Sequence, residues 1–133
     1  MTIQLAVSTR NARLDAIETD VGVSAVVKIR TGAQPANCAA ADSGTVLVSW
    51  TLAADWASAA AAGSKAFTGT PIGTTAVAAG NVGHYRVYAS DGTTCKMQGS
   101  AGTSGTDMIT DAATTSIGQA VNITSWSITD GNA

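Results

Sequence analysis

Charge is what this chain of 133 residues has least of. Lys, Arg, Asp and Glu together make up 12% of it, about half the ~25% of an ordinary globular protein. Between Ser43 and Tyr85 the only formal charges are Asp55 and Lys65. The net charge is −2 and no Lys/Arg cluster occurs, which argues against a nucleic-acid partner, since that needs a basic footprint. No stretch approaches the ~20 apolar residues of a membrane-crossing helix, so no membrane association is expected. MTIQLAVSTR, the opening segment, has no basic run ahead of its short apolar one. No secretory signal is expected, and synthesis is expected in the cytoplasm. Cys38 and Cys95 are the only cysteines. Without a CxxC spacing or companion histidines they make no zinc site, and in a reducing compartment they are expected as free thiols.

Catalytic patterns are equally scarce. His84 is the only histidine and is expected as a solvated or hydrogen-bonded group on a polar strand face. No GxSxG elbow occurs, no GxGxxG lies between a strand and a helix, and no P-loop lysine is present. Asp107 and Asp111 lack an EF-hand pattern around them. Neither catalytic nor metal-binding residues, nor a cofactor, are expected, and the chain is not expected to be an enzyme.

In place of charge the chain has 26 alanines, 19 threonines and 14 glycines. A small, neutral, hydroxyl-rich surface suits a protein that ends in a large assembly better than a freely soluble monomer. With neither an internal repeat nor a linker, residues 1–133 read as one domain, long enough to bury a core. Ile3, Leu5 and Val7 alternate as in a strand. Ser8 or Thr9 then caps a helix that carries Leu14, Ile17 and Val21 on one face and stops at Gly22. Its charges oppose the dipole, with Arg10 and Arg13 near the start and Glu18 and Asp20 near the end. Either its apolar stripe holds it or those charges serve a contact, which makes Arg10 and Arg13 candidate partner-contact residues. Trp56, in ADWAS, is the one tryptophan with a surface reading: it either contacts a partner or tucks into the core.

Ala25, Val27 and Ile29 alternate in a strand, followed by a loop over 31–44. Val46, Val48, Trp50 and Leu52 give the cleanest alternation, against Leu47, Ser49 and Thr51 outside. Residues 53–63 read as one or two helical turns or a loop, 65–70 as a weak strand, 71–83 as a loop and 100–105 as a flexible connector. Residues 106–110 and Ile117 are short strand candidates. In the last strand Val121 and Ile123 share one parity and Trp126 and Ile128 the other, so a bulge near Thr124 would return all four to the core. Segment 83–99, GHYRVYASDGTTCKMQG, reads as a hairpin. A two-residue Asp91-Gly92 turn would pair Tyr88 with Cys95 and mix both faces. A three-residue loop, Ser90-Asp91-Gly92, puts Tyr85, Val87, Cys95 and Met97 on the core face and His84, Arg86, Tyr88, Lys96 and Gln98 on the polar face. The expected core is thus Val46, Val48, Trp50, Leu52, Tyr85, Val87, Met97, Val121, Ile123 and Trp126. One short N-terminal helix plus about seven short strands predicts a mainly β protein, a β-sandwich or jelly roll.

Five segments together carry a resemblance: RNARLDAIET (10–19), GAQPANCAAADSGT (32–45), TLAADW (51–56), the hairpin, and GQAVNITSWSITDGNA (118–133). They resemble small β-rich proteins encoded in the head modules of tailed bacteriophages. The resemblance implies a virion protein, a capsid decoration (cement) protein with a jelly-roll fold. Such a protein would sit on the capsid surface after synthesis in the bacterial host cytoplasm. Its partners would be the major capsid protein and further copies of itself, in a homo-dimer or homo-trimer. The alternative is a tail- or fibre-associated receptor-binding module that uses Trp56 and neighbouring loops on a host glycan. The resemblance implies no functional residues.

Overall fold

A computed structural model, which describes residues 3–68 and 72–131, turns most of the alternating segments into strands. Helix α1 (Val7–Val21) precedes β1 (Val26–Arg30), β2 (Val46–Thr51), β3 (Ser64–Ala66), β4 (Ile72–Thr75) and β5 (Gly80–Asn81). Then come β6 (His84–Tyr88), β7 (Cys95–Gly102), β8 (Met108–Thr110), β9 (Thr114–Thr115) and β10 (Ala120–Thr129). Eight strands form one sheet in the order β2-β1-β6-β7-β8-β10-β3, with β4 also on β10, while β5 pairs β9 separately. Among the described residues only the β7–β8 pairing is parallel. The chain is mainly β with one N-terminal helix. Its sheet curls so that β1, β2 and β6 share a core with β8 and β10, as in a β-sandwich.

That core follows the alternation. Val27, Ile29, Val48, Trp50, Leu52, Tyr85, Val87, Val121, Ile123 and Trp126 are all buried. Aromatic rings fill its centre. Phe67 stacks on Trp126 with ring centroids 3.3 Å apart, Trp56 stacks on Phe67 at 5.1 Å, and Tyr85 meets Trp126 edge-on at 5.2 Å. The helix buries Leu14 and Val21 and packs Ile17 against the core. Gly22 ends it at φ 83°, donating its N–H to the Glu18 carbonyl. The bulge expected in the last strand is present: Ile123 pairs Thr110 and Ser125 pairs Ile109, leaving Thr124 out of the ladder.

Several expectations are corrected. Ile3 is exposed and no strand forms over residues 3–6; helix α1 starts at Val7 without a side-chain cap at Ser8 or Thr9. Met1, Thr2, residues 69–71 (which include the last two of the expected 65–70 strand) and residues 132–133 lie outside the described residues. Val46 is only half-buried. Arg30 pairs Val46 and Ile29 pairs Val48, so Leu47 is skipped in the ladder, and it is Leu47 that joins the core. Met97 is half-buried for a reason given below. Of the two readings of residues 53–63 the loop holds and the helical turns do not: Trp56 anchors the segment in the core and Ala61 and Ser64 close a tight turn. Within 71–83, β4 and β5 replace the expected loop, and β7 runs on through the expected connector to Gly102. Ile117 is exposed in a turn.

The hairpin loop is longer by one residue. Ala89 N–H donates to Thr94 O, Gly92 (φ 69°) supplies the left-handed turn position, and the Asp91 carboxylate accepts from the Thr93 and Thr94 N–H groups. Tyr88 therefore pairs Cys95, and a bulge at Lys96 lets Val87 pair Met97 and Arg86 pair Gln98. Cys95 and Lys96 exchange faces relative to expectation, whereas the other assignments stand. Trp50→Ala is expected to lose on the order of 3–5 kcal/mol in urea melts. Lys96→Ala, which breaks only an exposed ion pair with Asp20, is expected to lose under about 1 kcal/mol; equal losses would mean the faces are misassigned.

Candidate interaction surface

His84, Arg86 and Tyr88 lie on the strand face expected to meet water, yet all three are buried. Residues 31–45 fold back over that face. Asp42, the one charged residue in this loop, sits at its centre. Its carboxylate accepts from Arg86, from Arg30 Nη2 at 2.6 Å and from the Tyr88 hydroxyl at 2.7 Å. Arg86 Nη2 donates to the carbonyls of Asn37, Cys38 and Ala40 at 3.0, 3.2 and 3.1 Å, and its Nε to Gln98 Oε1 at 3.1 Å. His84 Nδ1 bonds to Gly32 O at 2.8 Å. The backbones there touch: a Cβ on Gly83 would lie 2.2 Å from Gly32 O, so only glycine fits. Partial burial alone would raise the Asp42 carboxyl. Hydrogen bonds from Tyr88 and Arg86 and the charges of Arg30 and Arg86 outweigh it and hold Asp42 below the usual carboxylate range. Tyr88 is pushed up to about 12 by burial and its bond to Asp42. These groups serve one another and form a structural brace.

Lys65 makes a second brace. It is buried, and its ammonium donates to Asp15 at 2.7 Å and the Ser58 carbonyl at 2.8 Å, with Glu18 also at 2.8 Å. Burial pulls its pKa down, but the two carboxylates more than compensate and leave it raised. A lysine kept charged with three acceptors is no nucleophile. An open cleft of about 710 Å³ lies beside it, between α1 and residues 54–59, with Asp15, Glu18 and Asp55 on its walls.

A different opening arises because β8 is short. Residues 103–107 turn instead of continuing the strand, with Gly105 at φ 66°. The Asp107 carboxylate locks that turn, accepting from Ser100 N–H and hydroxyl at 2.8 and 2.7 Å. So β8 reaches β7 only at Ala101 and Gly102, and β10 only as far as Trp126. Beyond that point residues 95–99 have β6 on one edge, residues 127–129 have β3 on one edge, and no described strand lies between them. The resulting groove, about 460 Å³, is lined by Ile17, Tyr85, Met97, Gly99 and Ile128 and equally by polar groups, among them Lys96, Gln98 and Asp107. Met97 lines this groove, which is why it is only half-buried. Gly99 is required at the floor, since a Cβ there would lie 2.7 Å from the Tyr85 ring. The groove mixes apolar and polar side chains and is edged by two strands with one free side each, so it fits an extended peptide adding to a sheet.

The residues expected to contact a partner are placed differently. Trp56 is buried in the aromatic stack and donates its indole N–H to Gly22 O at 3.1 Å. Arg10 Nη1 donates to Asp130 O at 2.9 Å, and Arg13 lies 3.4 Å from the Asp130 carboxylate. The contact that offsets the helix dipole is thus internal, and only Arg13 keeps most of its side chain in water. Arg10 and Arg13 meet at Asp130, while Trp56 lies apart from them. Sequence reasoning missed the Arg86–Asp42 brace and the groove. Asp42 did carry a signal, as the only charge in a long neutral loop; the groove had none. No protein-family model matches the chain, and neither a curated protein nor a solved structure is found similar to it.

Asp42→Asn leaves Arg86 buried without its counter-charge and is expected to cost about 2–4 kcal/mol in urea melts at pH 7. A carboxyl held low in the folded state contributes stability above its unfolded pKa that disappears as pH falls through the folded value. The wild type should therefore lose more stability than Asp42→Asn below about pH 4. Parallel acid limbs would show that Asp42 is not held by the brace.

Proposed function

We propose that this chain is a structural virion protein that decorates and stabilises a bacteriophage capsid, bound to the major capsid protein as a homo-dimer or homo-trimer. It is not an enzyme in this reading and takes no cofactor. The groove between β7 and β10 is the observation that carries the proposal. Two strand edges beside a groove of mixed polarity would bind an extended segment through main-chain hydrogen bonds, which suits a protein whose task is to grip a neighbour. The resemblance to phage head-module proteins supplies the class of neighbour. Repetition around a symmetry axis multiplies contacts that are weak singly. The alternative receptor-binding reading leaned on Trp56 as a sugar-stacking surface, and the burial of that side chain removes its main support.

Purified heads and tails, separated and probed for this chain, are expected to show it in many copies on tailless heads. Heads stripped of it should remain assembled but lose resistance to heat. Met97→Arg, which places a charged side chain in the groove of an otherwise intact sheet, should bind stripped heads at least tenfold more weakly while melting cooperatively. Heads lacking the chain while tails retain it would overturn the decoration reading. Undiminished binding by Met97→Arg would overturn the role of the groove.

A further inference from the structure

Cys38 and Cys95 are 57 residues apart in the chain, yet their sulfurs lie 2.8 Å apart, with the Cys95 thiol donating to Cys38 Sγ. Both are free thiols and both are partly exposed. We propose that this pair is a thiol–disulfide exchange site that takes a small-molecule disulfide of the glutathione type and closes into a Cys38–Cys95 bridge.

Two independent features bring the sulfurs together. The bulge at Lys96 turns Cys95 onto the face of Tyr88 and Arg86; an unbulged three-residue hairpin loop would have aimed it into the core. Arg86 holds the Cys38 carbonyl at 3.2 Å and those of Asn37 and Ala40 beside it, which fixes the 31–45 loop over that face. The pair is thus assembled by the buried guanidinium before any covalent bond forms.

The exchange balances without a further oxidant. The Cys38 thiolate attacks one sulfur of oxidised glutathione, whose S–S bond breaks and releases one glutathione thiolate. Cys95 then gives its proton to solvent and attacks Cys38 Sγ, releasing the second glutathione. Two protein thiols are oxidised and one glutathione disulfide is reduced to two thiols. Burial and the hydrogen bond to Cys38 push Cys95 up to about 12, so its thiolate is scarce and the second step relies on the 2.8 Å proximity of the two sulfurs. The bridge would fasten the 31–45 loop to β7 directly over the Arg86–Asp42 brace.

The test is native protein equilibrated across ratios of oxidised to reduced glutathione, quenched with acid, alkylated in denaturant and read by mass spectrometry. The expected product is a linked pair of tryptic peptides carrying Cys38 and Cys95. It should reach half-formation at a glutathione ratio at least tenfold less oxidising than for the same chain unfolded in urea. Cys95→Ser should instead stop at a mixed glutathione disulfide on Cys38. The bridged protein should melt roughly 10 °C above the reduced form, because the bridge shortens the unfolded chain's reach. Both thiols alkylated at every ratio, or equal ratios for folded and unfolded chains, would overturn the proposal. So would a wild type that accumulates glutathione adducts without closing the bridge.

Discussion

A guanidinium buried at the middle of a sheet is the constraint on which the rest of this structure depends. Arg86 sits on β6 with β1 on one side and β7 on the other and is 1% exposed. A charge there is tolerable only if nearly every donor has an acceptor. Its own sheet supplies one, Gln98 Oε1. The rest come from Asn37, Cys38, Ala40 and Asp42, so a long loop without secondary structure must lie against the strands in one conformation. Everything else on that face follows from the docking. Tyr88 and Arg30 converge on the same carboxylate, His84 meets Gly32, and Thr31 Oγ1 accepts from Thr45 N–H to close the base of the loop. The sheet therefore has two buried faces of opposite character, one packed with aromatic rings and one with hydrogen-bonded charge.

Helix α1 is held by the same kind of interaction at a second place. Its apolar face buries only Leu14 and Val21 completely, and its charges run against its dipole. Ion pairs to the sheet offset both weaknesses. Lys65 on β3 takes Asp15 and Glu18, Asp130 after β10 takes Arg13, and Lys96 on β7 takes Asp20. The pair made by Lys65 is the strongest because the lysine is buried, while the Lys96 pair is mostly in water and contributes little. A helix with a poor intrinsic end charge is thus oriented by three separate strands.

The inner half of this architecture could be read from the sequence and the outer half could not, for a physical reason. Period-two alternation reports which side chains share a face, and it identified Val48, Trp50, Val87, Val121 and Ile123, together with the β10 bulge that keeps Trp126 inside. It does not report what covers the opposite face. His84, Arg86 and Tyr88 look like a solvated row until a loop supplies their partners, and the partners are mostly backbone carbonyls, which have no signature in a sequence. Leu47 and Cys95 were misplaced because a bulge shifts faces locally. Trp56, beside Ala and Asp, could be read either as a surface contact or as core, and its neighbours in space, Phe67 and Trp126, decide for the core. The groove was invisible because it results from a strand that starts late, at Met108, after a turn in which the Asp107 carboxylate binds a serine seven residues away.

The sparse charge of the chain takes on a definite meaning once its partners are known. All seven cations are engaged internally. Arg13, Arg30, Arg86, Lys65 and Lys96 meet carboxylates, Arg10 meets the Asp130 carbonyl, and Lys28 meets the Gly92 carbonyl and the Tyr88 ring. Positive charge in this molecule stabilises its own fold and leaves little field to steer a charged partner from a distance. What the surface offers instead is alanine, threonine and serine, side chains small enough for another backbone to approach closely, and one groove with free strand edges. Recognition through such a surface depends on main-chain hydrogen bonds and apolar contact, which salt screens weakly and which reward exact placement over long-range attraction. A scaffold that must place its edges this accurately gains from having its least regular segment, the 31–45 loop, pinned from beneath by Arg86.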